Sequence, residues 1–575
     1  MKLQRCNNCG ALVTCARRIA TKYVDPISLE AYVACRLLPL DKQPGVRPIG
    51  IGEVVRRILG KAILQIVGSA VESAVGCLQL CGGQECGVEA AIHAVKTTFD
   101  DDHTEGVLFA DATNAFNRLN RAVCLRNVQR LCPELAPAVI NTYRSPAHLY
   151  VGGEVILSSE GTTQGDPLAM PMYALGTVPL IREAAAAGAM QSWYADDATS
   201  AGALRRMRTW WSILVDRGTR YGYDINPSKS VLLVKPQHLA LATELFATTG
   251  VNIRTDGYRH LGAALGSALF CDDYVSQKVD TWCTELQTLA KHAASQPQAA
   301  YAVLTHGLRH KWSFLARTMP AIADLLTPLE NSISQVFLPA LTGRQAPGEE
   351  ERAILALPCR HGGLGILNPG TLSQQYDTST AVTRPLVEQL LRQEESIEEV
   401  VAATKAAKAA QRTANRQDQA MALSSLRDTL SDDHRRTLDL AAEKGASSWL
   451  TSRPSRRFQF TIHKAGFRDA LCLRYGWTPP RLPSHCTCGK PFDTTHALSC
   501  AIGGFTGMRH NELRDLTANL LREVAHDVSV EPELEPLSGE TFPLRSANTE
   551  AHARLDVAAR GVYGSRLERT MFDVR

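Results

Sequence analysis

The sequence predicts a multidomain α+β protein, and three observations predict it. Short apolar segments lead into carboxylates: Val107-Leu108-Phe109-Ala110 stops at Asp111, while Ser192-Trp193-Tyr194 and Ala198-Thr199-Ser200 flank Asp196-Asp197 like the arms of a tight hairpin. Residues 275–345 carry helical periodicity. Cysteine and histidine concentrate at 486–500, well beyond both. At roughly 100–200 residues per domain, a chain of this length makes about three to five domains.

Composition narrows the class. With 45% apolar and 21% charged side chains among 575 residues, the chain reads as soluble and globular rather than disordered. The formal net charge of +4 does not by itself point to nucleic acid, so the placement of basic residues matters more. No uncharged apolar run of about 18 residues is evident, so no membrane span is expected. No signal-peptide apolar region opens the chain, and a nuclear or cytoplasmic setting follows. The 16 cysteines, spread through a long chain, favour reduced thiols and one metal site over disulfides.

In order along the chain, residues 1–40 are mostly helical in pattern, and Cys6, Cys9 and Cys15 read as free thiols on short helices. Pro44-Gly45 and Pro48 punctuate a loop between extended segments. A helix starts after Gly52, with Val54, Val55, Ile58, Leu59, Ala62, Ile63 and Ile66 on its apolar side and Arg56, Arg57 and Lys61 on the other. The strand at 107–110 is followed by a helix near Leu119. Gly152-Gly153 joins two strands as a hairpin, and Pro167 and Pro171 bracket the start of a helix running through Ile181. Residues 204–222 form a helix bearing Arg205, Arg206, Arg208, Arg217 and Arg220, and residues 231–234 a strand. Gly362-Gly363-Leu364-Gly365 ends a compact unit, and the Ala-, Gln- and Arg-rich stretch 380–450 reads as long exposed helices or a helical linker. Residues 510–575 read helix, loop, strand, strand.

A strand end at Asp111 and a hairpin turn at Asp196-Asp197 come together if their strands lie side by side in one sheet. Carboxylates converging from separate strands suit Mg²⁺, which takes hard oxygen ligands. A lone Asp-Asp pair is usually just a turn, so the weight rests on ordered company. Phe109-Ala110-Asp111-Ala112-Thr113-Asn114-Ala115-Phe116 precedes Gln164-Gly165-Asp166-Pro167, then Tyr194-Ala195-Asp196-Asp197, then Asn226-Pro227-Ser228-Lys229. In that order and spacing, from Leu40 to about Gly266, the chain resembles the reverse transcriptases of non-LTR retrotransposons.

The resemblance implies a right-hand polymerase fold with fingers, an antiparallel palm sheet and a helical thumb. It implies RNA-templated DNA synthesis from deoxynucleoside triphosphates on a DNA primer, the primer being nicked target DNA. Asp111, Asp196 and Asp197 would hold Mg²⁺ (or Mn²⁺), and Ala112 would add a backbone carbonyl. Phe116, five residues after Asp111, matches an aromatic gate against the 2′-hydroxyl. Gln164 and Gly165 match the turn packed against nucleotide and template. Lys42 and Arg47 would meet the triphosphate, and Lys229 would act as general acid toward the leaving pyrophosphate. Leu261-Gly262 resembles the turn that grips the primer.

The second half adds Cys486, Cys488, His496 and Cys500, four ligands within 15 residues that suit tetrahedral Zn²⁺, with His485 as a competing ligand. Between Arg453 and Arg481, cations alternate with Phe458, Phe460, Phe467, Tyr475 and Trp477, a pattern that suits phosphate and base contact and equally an ordinary helix with a buried aromatic face. Elements of the resembled type carry such a knuckle followed by a restriction-enzyme-like nuclease. Asp556 and Asp573 fit its acids and Arg575 its basic residue, but Leu555 replaces the usual proline and the second strand reaches the chain end, so cleavage of DNA is not expected. The expected division is 1–270 fingers and palm, 271–375 helical thumb-like region, 376–480 helical and basic linker, 481–505 zinc knuckle and 506–575 partial nuclease. The rival readings are a group II intron maturase, which the Cys/His knuckle disfavours, and a non-catalytic nucleic-acid-binding remnant, which the intact aspartates disfavour.

Overall fold

A computed structural model describes residues 7–42, 45–372, 374–480, 482–502, 505–533, 554–563 and 567–574. Contacts gather into two compact units, 1–430 with 447–461, and 431–446 with 462–575. Arg575 and Cys6 lie outside the described residues, as does Arg481.

In the first unit the helix Asn7–Thr21 precedes strands β1 (Cys35–Asp41), β2 (Val46–Gly52) and β3 (Gly106–Ala110). Next come β4 (Ala147–Val151), β5 (Glu154–Ser158), β6 (Met190–Tyr194), β7 (Asp197–Gly202), β8 (Val231–Val234) and β9 (Asn252–Arg254). A short hairpin, β10 (Gly257–His260) with β11 (Ala263–Gly266), follows. β2-β1-β4-β5 form one sheet, and β6-β7-β3-β8-β9 form the second. In the second sheet, β3 is flanked antiparallel on both sides, by β7 and β8.

β3 is apolar throughout because both its faces are covered. Leu108 and Ala110 join one core with Trp193, Trp210, Tyr223 and Leu232. Val107 and Phe109, pointing the other way, join a second core with Val95, Leu233 and Leu265. The two buried indoles of the first core are not orphaned: Trp193 Nε1 and Trp210 Nε1 donate to the one oxygen of buried Gln191, at 3.0 and 2.9 Å.

The helix Val54–Val75 departs from the sequence expectation. Val54, Ile58 and Ile66, placed on its apolar side, are 65%, 61% and 80% exposed, whereas Arg56, placed on the polar side, is buried. The reason is a partner distant in sequence: Arg56 forms a buried ion pair with Asp166. Leu59 and Ile63 are buried as expected and Gly60 joins them on that face, where a Cβ on Gly60 would stand 3.1 Å from Pro167 Cβ. This helix is also long and apolar enough to cross a membrane by length and composition, a property that core helices of soluble proteins share and that the sequence reading did not anticipate.

Beyond the sheets, Ser267 caps the helix Ala268–Ala293 through its Oγ, and Val275, Val279, Trp282, Leu286 and Ala290 form its buried stripe at helical spacing. The Ala-, Gln- and Arg-rich stretch then divides. Leu386, Leu390, Ile397 and Val400 pack in a core with Cys77, Leu80, Ala90 and Ala94. Past buried Thr404 the helix Glu398–Thr429 is largely exposed, as the sequence reading had it for the whole stretch.

In the second unit, the helix Lys464–Tyr475 buries Phe467, Leu471, Cys472 and Tyr475. Two of the five interleaved aromatics are therefore core residues, while Phe458 and Phe460, in the first unit, are exposed. After the Cys/His loop come the helix Phe505–Val524 and an antiparallel meander of β12 (His526–Val530), β13 (Val557–Arg560) and β14 (Arg569–Phe572). The helix and strands expected for residues 510–575 are present, but the strands number three among the described residues rather than two, and β12 follows the helix after a single residue, Ala525, with no intervening loop.

Candidate active site

The β6–β7 hairpin closes with Tyr194 paired to Asp197, leaving Ala195 and Asp196 as a two-residue loop. Ala195 takes φ +55°, the positive value that a tight two-residue hairpin demands at its first loop position. Because β3 pairs β7 with Ala110 opposite Ala198, Asp111 stands opposite Asp197 one step further on. Cross-strand neighbours of this kind have Cβ atoms about 4.5–5.5 Å apart. The sheet thus delivers Asp111, Asp196 and Asp197 to one edge.

Their electrostatics report the crowding. Burial raises the Asp111 carboxyl above its usual range, opposed by Lys229 and Lys42. Burial also raises Asp196, with Asp111 adding to the rise and Arg47 and Lys42 opposing it. Asp197 is pushed up to about 6 by burial, then by Asp196 and Asp111, with Arg259 acting the other way. Asp197 is open to solvent at its surface, yet protein displaces much of the water around its carboxyl. Three sequence-predicted cations, Lys42, Arg47 and Lys229, therefore lie within electrostatic reach of the aspartates. Arg259, on β10, joins them without having been foreseen.

Ala112 bridges Ile225, bracketed by Asn226 N donating to Asp111 O (2.7 Å) and Thr113 N donating to Asp224 O (2.8 Å). In such a non-hydrogen-bonded antiparallel pair, the Ala112 carbonyl points away from Ile225. The Phe116 ring stacks on Tyr173 with centroids 4.5 Å apart. Tyr173 lies on the helix Ala169–Ala185, and its buried hydroxyl has no hydrogen-bond partner. Gln164 O accepts from Gly50 N at 2.8 Å. Gly165 has φ +109°, and a Cβ there would meet Gly50 O at 2.7 Å, so this turn seats directly on β2 and requires glycine. Leu261 and Gly262, both at positive φ, close the β10–β11 hairpin, where Tyr274 Oη donates to Gly262 O.

Several supporting residues escaped the sequence reading. Asp166 takes the Arg56 pair and a 2.8 Å bond from Tyr143 Oη on one oxygen, and Leu168 N at 2.9 Å on the other. Tyr223 Oη donates to Asp196 O at 3.0 Å, and the side chain of Gln79 bonds Ala195. Only Asp166 stood inside a recognised motif; the others carry no local signal.

In the second unit, the ligand atoms of Cys486, Cys488, His496 and Cys500 all lie within 4.8 Å of one another. Cys486 Sγ and Cys500 Sγ are 3.8 Å apart, and Cys488 Sγ is 3.2 Å from His496 Nε2. Two sulfurs each about 2.3 Å from a shared tetrahedral centre stand about 3.8 Å apart, so the group can hold zinc. Gly489, at φ +81°, turns the chain after the first pair, and Asp493 Oδ1 caps the short helix carrying His496. His485 stands outside the group. Among the described residues this is the one group gathered so tightly; the aspartates of the first unit are spread wider.

β13 pairs β14 with Val557 opposite Phe572, so Asp556 and Asp573 face each other at the next step. Asp556 Oδ1 lies 2.8 Å from His510 Nε2, and its Oδ2 accepts from Val574 N at 2.6 Å.

No known family pattern matches the chain, and no curated protein does. Among solved structures it is similar to apo telomerase from Candida tropicalis, at 8% identity and TM-score 0.35, covering 69% of this chain and 73% of that one. It is also similar to telomerase from Candida albicans in complex with a fragment of telomeric RNA, at 9% identity and TM-score 0.32 over 69% and 68%. A C-terminally truncated Candida tropicalis telomerase gives 10% identity and TM-score 0.30, and the chain spans 53% of its length. Similarity this slight leaves the functional argument to the residues.

Proposed function

We propose that this chain is an RNA-directed DNA polymerase of the non-LTR retrotransposon type, adding deoxynucleotides to a primer 3′-hydroxyl by target-primed reverse transcription. The observation that carries the proposal is the arrival of Asp111, Asp196 and Asp197 at one sheet edge, ringed by Lys42, Arg47 and Lys229. Three hard carboxylates, all raised by burial and two of them, Asp196 and Asp197, raised further by neighbouring carboxylates, fit divalent cations, which relieve that repulsion. Mg²⁺ or Mn²⁺ held by Asp111, Asp196 and Asp197 supplies activation of the primer hydroxyl and charge neutralisation at the triphosphate.

The chain's own side chains do the rest. Lys42 and Arg47, flanking the turn between β1 and β2, bind the triphosphate. Phe116, held flat on Tyr173, excludes a 2′-hydroxyl. The Gln164-Gly165 turn, seated on β2, orients nucleotide against template. Lys229 protonates the leaving pyrophosphate. In the second unit, Cys486, Cys488, His496 and Cys500 hold Zn²⁺, and Asp556 and Asp573 are the acids of a nuclease-like sheet. RNA template, DNA primer and target, and deoxynucleoside triphosphates are the partners.

The test is primer extension on poly-rA with oligo-dT and Mg²⁺, run beside the Asp196→Ala/Asp197→Ala double variant. Incorporation of dTTP by wild type alone establishes the activity and its acids. A well-folded wild type that incorporates nothing sinks the proposal and favours a nucleic-acid-binding remnant.

A further inference from the structure

The loop that presents Asp196 is built around an unfavourable residue. Ala195 holds φ +55°, a conformation that L residues adopt rarely and that persists only when its surroundings over-determine it. Those surroundings converge on one side chain. Gln79 lies between the helices Val54–Val75 and Gly87–Asp100 and is fully buried. Its Oε1 accepts from Ala195 N at 2.9 Å, and its Nε2 donates to Ala195 O at 3.0 Å. One amide thus reads both backbone groups of one residue, as a partner strand would. The assignment of oxygen and nitrogen is fixed, because the reverse would set donor against donor and acceptor against acceptor. Nε2 also reaches Thr177 Oγ1 at 3.3 Å, so the amide is held from the helix Ala169–Ala185 as well. Gln79's own backbone is anchored to the same hairpin: it bridges Trp193, and Trp193 N donates to Leu78 O at 3.2 Å.

We propose that Gln79 is the positioning residue of the Tyr194–Asp197 turn, holding Ala195 at positive φ so that Asp196 and Asp197 present their carboxylates for nucleotidyl transfer; the catalytic half of this inference rests on the polymerase reading. The Cys81 thiol also reaches the Ala195 backbone, but among the side chains of the described residues Gln79 alone bonds both its N–H and its C=O. Tyr223 grips only the next carbonyl, that of Asp196. Without the Gln79 amide, the Ala195 peptide keeps only the hairpin closure and the Cys81 contact, so it can relax, and the carboxylate attached to the following residue moves with it. A displacement on the order of 1 Å at reacting groups costs about 100-fold in rate.

The test uses the full chain with Gln79→Met, which keeps the side-chain length and removes both hydrogen bonds. The expected result is a fall in kcat of about 100-fold with the KM for dTTP moved by less than about twofold, since the groups meeting the triphosphate are untouched. Adding Ala195→Gly to Gln79→Met should recover about tenfold, because glycine takes positive φ without the Cβ penalty. Hydrogen–deuterium exchange should accelerate at residues 193–197 in Gln79→Met and nowhere else in the five-stranded sheet. Where the methionine variant fails to fold, Gln79→Asn, an amide one methylene shorter, is read by the same measurements. An unchanged kcat, a loss that merely tracks the folded fraction, a failure of Ala195→Gly to rescue, or unaltered exchange at 193–197 each overturns the proposal. If wild type incorporates no nucleotide, the polymerase reading falls alone, and the exchange measurement still decides whether Gln79 holds the turn.

Discussion

Asp166→Ala should destabilise the first unit sharply, and the structure says by how much. The Arg56 and Asp166 side chains are only 3% and 2% exposed. Removing the carboxylate strands a buried guanidinium, at a cost of about 3–5 kcal/mol. It also removes the acceptor for Leu168 N at the entry to the helix Ala169–Ala185, worth about 1 kcal/mol. The sum is about 4–6 kcal/mol. With a urea dependence of about 3 kcal/mol/M, the midpoint of the first unit's transition should fall by about 1.3–2 M. Arg56→Met alone should cost a similar amount, since it leaves Asp166 buried with only Tyr143 and Leu168. The double variant Arg56→Met/Asp166→Leu should cost far less than the sum, because apolar replacement of a whole buried pair is often close to neutral. Urea unfolding followed by tryptophan fluorescence measures all three, with Trp193 and Trp210 reporting from the first unit's core. Single variants shifting the midpoint by less than about 0.3 M, or a double variant equal to the sum of the singles, would refute the reasoning.

Other predictions concern selectivity, metal and pH. Phe116→Val should raise use of ribonucleotides relative to deoxynucleotides by about 10–100-fold, equal to about 1.4–2.8 kcal/mol of lost discrimination; Tyr173→Ala should push the same way less strongly, and Tyr173→Phe should change little because that hydroxyl has no partner. Competition assays with both nucleotide classes read this directly. The second unit should bind one zinc per chain, and Cys500→Ser should abolish it, as atomic emission on dialysed protein will show; zinc retained by the variant would contradict the assignment. His260 is buried and neutral, its pKa lowered by burial to about 3. The unfolded chain takes up that proton near its ordinary value of about 6.5 while the folded chain does not. His260 therefore leaves stability intact above about pH 6.5 and withdraws about 1.4 kcal/mol per pH unit below it, down toward pH 3. His260→Phe should flatten the fall in urea midpoint between pH 6.5 and 4, and an unchanged slope would refute the assignment.

What the amino-acid order determined alone was local. Alternation and short apolar runs marked β3, the β6–β7 hairpin and β8, and turn residues marked the β4–β5 hairpin, because backbone conformation and side-chain period are set within a few residues. The Cys/His quartet was legible for the same reason, its ligands lying within 15 residues. Spacing also suggested that Asp111 and Asp196-Asp197 meet, and the ladder register supplied the juxtaposition. Tertiary structure decided which residues are covered. It buried Arg56 and left Ile58 and Ile66 in water, because the partner that compensates the charge stands 110 positions away. It drew Leu386 and Leu390 into a core while the same stretch further on stayed exposed. It also brought Gln79 to Ala195 across 116 positions. A glutamine in a short connection carries no periodic signature, and its importance arises only when folding places its amide against one strained peptide and excludes the water that would otherwise satisfy both.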